Sequence, residues 1–149
     1  MKKGITIFIM MFFSSYICAQ PEIKMSVSKY NKEKEAILNV IINSIQFDSI
    51  NNLYYSQSSN FVFAENEELY KGIPITLLYH GKKVEIVDCT KTETDCCWLG
   101  DFYLNVYCEE PKTARVQIEL VCKTKQDILL GITLEKHTKW EITSFVRID

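Results

Sequence analysis

Three stretches near the C-terminus, ARVQIELVC (114–122), ILLGITLE (128–135) and WEITSFVRI (140–148), alternate apolar and polar residues with a period of two. That period belongs to a strand with one buried face. Val116, Ile118, Leu120 and Cys122 fall on one side of the first stretch, Ile128, Leu130, Ile132 and Leu134 on one side of the second. In the third, Trp140, Ile142, Val146 and Ile148 are the expected inward residues. FYLNVYC (102–108) adds a fourth such run, with Phe102, Leu104, Val106 and Cys108 inward, and VEIVDC (84–89) a shorter fifth. Short polar turns separate the runs. The expectation is an antiparallel meander of four to five strands, with Val84–Cys89 paired antiparallel to Phe102–Cys108.

A sheet with one apolar face needs a cover, and NKEKEAILNVIINSI (31–45) supplies it. Asn31 can cap the helix, Glu33 and Glu35 suit its positive end, and Ile37, Val40, Ile41, Ser44 and Ile45 recur at three- and four-residue steps. The fold class expected is therefore α+β, an N-terminal amphipathic helix packed on a curved antiparallel sheet. Residues 47–78 have no clear period; a strand near Phe61–Phe63 and a helical turn in NEELYKGIP fit them best.

The first residues, MKKGITIFIMMFFSSYICAQ, read as a signal peptide. Lys2 and Lys3 precede an uncharged apolar run from Gly4 to Cys18, which is shorter than the roughly 20 residues of a membrane span. Residues 1–20 are set aside as the leader and 21–149 taken as one α+β domain, periplasmic or secreted, with no stable membrane insertion after cleavage. Cys18 offers a minor lipoprotein alternative. Losing Lys2 and Lys3 from 17 basic residues leaves 15 against 19 acidic ones, a net charge of −4. That mildly acidic balance, with no basic block, argues against nucleic acid as a partner.

An exported chain sets the chemistry of its six cysteines. Cys89, Cys96, Cys97 and Cys122 are expected at one end of the sheet and Cys108 at the other, which favours two disulfides, one of Cys96 and Cys97 bonding Cys89 and the other Cys122. Adjacent cysteines serve tetrahedral zinc poorly, and no metal site is expected. His80 and His137 fall in turns about 14 Å apart, three strand spacings, too far to share an ion. Cys108 reads as a buried free thiol.

The helix, Gly81-Lys82-Lys83-Val84, the Phe102–Tyr107 run and Thr138-Lys139-Trp140-Glu141-Ile142 resemble small exported members of the cystatin-like, nuclear-transport-factor-like α+β group. Enzymes of that group place Asp, His or Tyr in a conical cavity, which the resemblance would imply here only for an enzymatic or small-molecule-binding member. The inward positions here are aliphatic or aromatic, and neither a catalytic set nor a cofactor follows from them. The sequence favours a non-catalytic binding or protein-interaction module of the cell envelope, with a small-molecule-binding or enzymatic domain as the alternative. Alternation turns Tyr103, Tyr107 and Phe145 outward among Arg115, Gln117 and Glu119, a mixture of aromatic and arginine residues suited to a protein partner or self-association, the alternative being that residues 47–80 cover this face as a second core layer.

Overall fold

The computed structural model describes residues 25–54, 62–65, 75–87, 96–105, 107–122 and 126–148. Among these residues two helices, α1 (Val27–Ile42) and α2 (Ile45–Tyr54), precede eight strands. These are β1 (Val62–Glu65), β2 (Leu78–Tyr79), β3 (Lys82–Lys83), β4 (Glu85–Val87), β5 (Cys96–Leu104), β6 (Thr113–Cys122), β7 (Ile128–Lys136) and β8 (Trp140–Ile148). Six form one sheet in the order β4-β1-β5-β6-β7-β8, and β2 and β3 form a separate hairpin.

The α+β class holds, with α1 packed on a sheet whose β5 to β8 portion is the antiparallel meander. The expected antiparallel pairing of Val84–Cys89 with Phe102–Cys108 does not. β4 pairs in parallel with β1, and β1 pairs in parallel with β5, so a strand from the patternless middle of the chain separates the two. Strand β5 also starts earlier, at Cys96, and ends at Leu104. Tyr107 and Cys108 therefore belong to the turn after it, where Asn105 Oδ1 accepts from the Tyr107 N–H at 3.1 Å.

Helix α1 begins four residues before the expected start. Ser26, not Asn31, is the cap, accepting from the Lys29 N–H at 3.2 Å. Asn31 lies buried within the helix, its amide donating to the Val27 carbonyl. The helix stops at Asn43, and Ser44 accepts from the Phe47 N–H to start α2. That break leaves Ile45 exposed, although the sequence had placed it on the apolar face.

Tyr30, Ile37, Leu38 and Ile41 face the sheet from α1, and Phe47 from α2. Tyr30 meets Phe102 edge to face with centroids 5.7 Å apart; Phe47 lies 4.9 Å from the Trp98 ring. Opposite them the core rows of β6 and β7 are Val116, Ile118, Leu120 and Ile128, Leu130, Ile132, Leu134, all as the alternation predicts. Two polar devices tie the layers together. The Glu33 carboxylate accepts from Lys136 Nζ at 2.6 Å and from the Trp140 indole at 2.7 Å. A ladder of side chains on α1 holds the Ile75–Tyr79 strap: Glu35 accepts from the Thr76 N–H, Asn39 bonds Thr76 O and Leu78 N, and Asn43 bonds Leu78 O and His80 N.

The last strand carries a bulge. Thr133 stands opposite Ser144, but Leu134 stands opposite Ile142, so Thr143 is an extra residue. One inserted residue reverses the faces of everything beyond it. Phe145 pairs with Ile132 and Arg147 with Leu130, on the core side, whereas Val146 and Ile148 join Gly131 and Leu129 on the other. The sequence reading of this strand was correct before the bulge and inverted after it.

Candidate functional site

The face turned from the helices is built from rows across the meander. Tyr103, Arg115, Thr133 and Ser144 make one row; Asp101, Gln117, Gly131 and Val146 the next; Leu99, Glu119, Leu129 and Ile148 the third. Tyr103 is 57 % exposed, Val146 50 % and Ile148 42 %, and no lysine stands in these rows. At Gly131 a Cβ would sit 3.1 Å from Ile148 Cδ1 and 3.3 Å from Val146 Cγ2, so the two aliphatic side chains lean over the bare backbone. Of the three aromatic candidates, Tyr103 lies in this face and Tyr107 is exposed in the adjoining turn. Phe145 is not part of it. The bulge turns its ring inward, where it packs half-buried against the core.

A second cluster lies between α2 and the β2–β3 hairpin, unforeseen in the sequence. The Trp98 indole donates to Asn51 Oδ1 at 3.0 Å, and the Asn51 amide donates to the Tyr79 hydroxyl at 3.3 Å. His80 Nε2 lies 3.0 Å from Asp48 Oδ1, and the Tyr79 and His80 rings are 4.3 Å apart. Burial, then the hydrogen bond to the Asp48 carboxylate, pushes the Tyr79 hydroxyl above its ordinary pKa. His80 and Gly81 have φ of +48° and +76°, the positive values a two-residue I′-type hairpin needs, so the turn itself presents the imidazole. The readable signal for α2 was Ser44 followed by Asp48, a cap and a first-turn acid.

The cysteines divide. Cys97 and Cys122 are buried, and Cys108 is the free cysteine among the described residues, half-buried with Sγ 3.2 Å from the Glu110 carbonyl. Cys96 stands directly opposite Cys122 in the β5–β6 register. Cys89 lies outside the described residues, and its expected place rested on the antiparallel pairing that β1 displaces. His137 sits in the β7–β8 turn, and no group of three or more His, Cys, Asp or Glu able to hold a metal occurs among the described residues. No helix among them is long and apolar enough to cross a membrane, and residues 1–20, expected from the sequence to be a leader, lie outside them.

No family model, curated protein or solved structure matches this chain.

Proposed function

We propose that the chain is an exported, non-catalytic protein-interaction module of the cell envelope, docking through the meander face that carries Tyr103, Val146 and Ile148. The observation that supports it is the composition of that face. Exposed aromatic and aliphatic side chains stand beside Arg115, Asp101 and Glu119 with no lysine among them, the mixture found where proteins meet. The opposite face is filled by Trp98, Ile118, Leu130 and their neighbours, which supports packing there in place of ligand binding. Export is supported by the Lys2-Lys3 and apolar layout of residues 1–18, and two disulfides go with it.

The test uses the mature chain and a Tyr103→Ser/Val146→Ser variant. Sedimentation velocity reads self-association, and capture from envelope extract reads a protein partner. Loss of either in the variant, at unchanged melting temperature, is the expected result. Equal association by both proteins overturns the proposal. Intact mass of the recovered chain reads export: a mature start near Gln20 or Pro21 is expected, a mass retaining residues 1–19 overturns it, and acyl chains on Cys18 move it to the lipoprotein reading.

The Asp48, Tyr79 and His80 cluster favours a second reading, a small-molecule-binding or enzymatic domain, because it joins an acid, a phenol and an imidazole at the surface. Binding or activity lost in His80→Ala but kept in the Tyr103/Val146 variant would favour that reading.

A further inference from the structure

Cys96 and Cys122 are register partners on neighbouring antiparallel strands. The Cys122 N–H donates to Asp127 Oδ1 at 3.0 Å. Asp127 lies at the β6–β7 connection, so the main-chain groups of Cys122 point toward β7 and away from β5. With respect to β5 the Cys96/Cys122 pair is then of the non-hydrogen-bonded kind, in which facing Cα atoms are about 4.5 Å apart. That separation lies inside the roughly 4.4–6.8 Å span of disulfides, and it brings the two Cβ atoms closest.

Cys97 stands one step along, opposite Val121. Successive residues of a strand lie on opposite faces, so Cys97 and Cys122 are on opposite sides of the sheet with diverging Cβ directions. Such a pair cannot be bridged without moving the backbone. Yet neither Cys97 nor Cys122 is a free thiol, in contrast to Cys108.

We infer that Cys96 and Cys122 form a cross-strand disulfide, and that Cys97 is bonded separately on the other face of the sheet. The inference rests on the exported reading and deepens it, selecting between the two cysteines of the adjacent pair. The chemistry is thiol–disulfide exchange with a disulfide oxidant of the exterior compartment. The Cys96 and Cys122 thiols give up two protons and two electrons and gain one S–S bond, while the oxidant's S–S bond breaks to two thiols. The bond ties the start of β5 to the end of β6, at the corner where the meander begins.

Because no protease separates residues 96 and 97 conveniently, single variants decide the matter. The full chain and its Cys96→Ser and Cys97→Ser forms are oxidatively refolded in a glutathione buffer and mapped without reduction. In Cys97→Ser the peptide of Cys122 should remain linked to the β5 peptide. In Cys96→Ser, alkylation of Cys122 should rise at least tenfold. A Cys122 that stays linked in Cys96→Ser, or is free in Cys97→Ser, overturns the inference. The same map on protein recovered from cells separates the two claims. Linkage in refolded but not in recovered protein counts against export, and absence of linkage in both counts against the disulfide.

Discussion

Replacing Glu33 with alanine should destabilise the protein by about 2–4 kcal/mol. Glu33 is 9 % exposed and its carboxylate serves two donors, Lys136 Nζ and the indole N–H of Trp140, itself 4 % exposed. Truncation orphans the indole N–H in a place water does not reach, which costs about 1–3 kcal/mol. The one lost methylene adds about 0.8 kcal/mol. Lys136 contributes little to the loss, because its side chain keeps 25 % exposure and can turn its ammonium to solvent. Glutamine at the same position keeps an acceptor for the indole and gives up only the charge, so Glu33→Gln should cost about 1 kcal/mol. Urea unfolding followed by tryptophan fluorescence measures both, since Trp98 and Trp140 are buried. Equal losses in the two variants would show that the charge, and not the orphaned indole, dominates. An alanine variant within about 0.5 kcal/mol of wild type would refute the reasoning altogether.

The bulge makes Phe145→Ala and Tyr103→Ser opposite in kind: the first should cost about 1.5–3 kcal/mol, as a partly buried ring does, and the second under about 0.5, by the same unfolding assay. Tyr79 should titrate above 10.0 in ultraviolet absorbance, and Asp48→Asn should lower its midpoint. Because the folded state holds this phenol's pKa above the unfolded value, its contribution to stability is complete below pH 10.0 and is lost as pH rises through the folded pKa. At the other end of the scale, the Lys29 ammonium holds the Glu110 carboxyl below 4.5, so the tether between α1 and the 107–112 turn should persist above that pH and release as pH falls through the depressed value. Amide protection factors in residues 107–112, each rate taken against its intrinsic rate at that pH, should fall in acid for wild type and be low already at neutral pH in Glu110→Gln.

The parts of the fold legible in sequence are those in which one residue type repeats against one environment. Strands β6 and β7 bury every second residue, so alternation alone places Val116 through Leu134. The same rule fails where a single backbone event intervenes. Thr143 has no property that announces an extra residue, and alternation read straight through it sent Phe145 outward and Ile148 inward. β1 is only four residues long and owes its place to parallel partners on both sides, information that its own VFAE does not contain. The outer face proposed for docking was thus half legible: Tyr103 and Arg115 precede the bulge's influence, while Val146 and Ile148 could be found only with the register in hand.

The strap shows why the sequence, which marks His80 only as a turn residue, does not reveal the polar cluster. In Ile75–Val84, Leu77 is fully buried and Ile75 and Val84 nearly so, yet the segment joins no large sheet. Its backbone polar groups need partners, and in place of a neighbouring strand they find a helix. Residues i, i+4 and i+8 of an α-helix rise about 6 Å per step, and alternate residues of an extended chain about 6.8 Å, so Glu35, Asn39 and Asn43 fall in step with Thr76, Leu78 and His80. In a sequence those three read as an ordinary solvated helix face. Their true role is to fix the strap and, through it, the hairpin that carries Tyr79 and His80 to Asp48 and Asn51 on α2. Positioning of the cluster therefore depends on side chains that touch none of its side-chain atoms, and a change at Asn39, which bonds only Thr76 and Leu78 of the strap, should disturb the imidazole without altering a residue beside it.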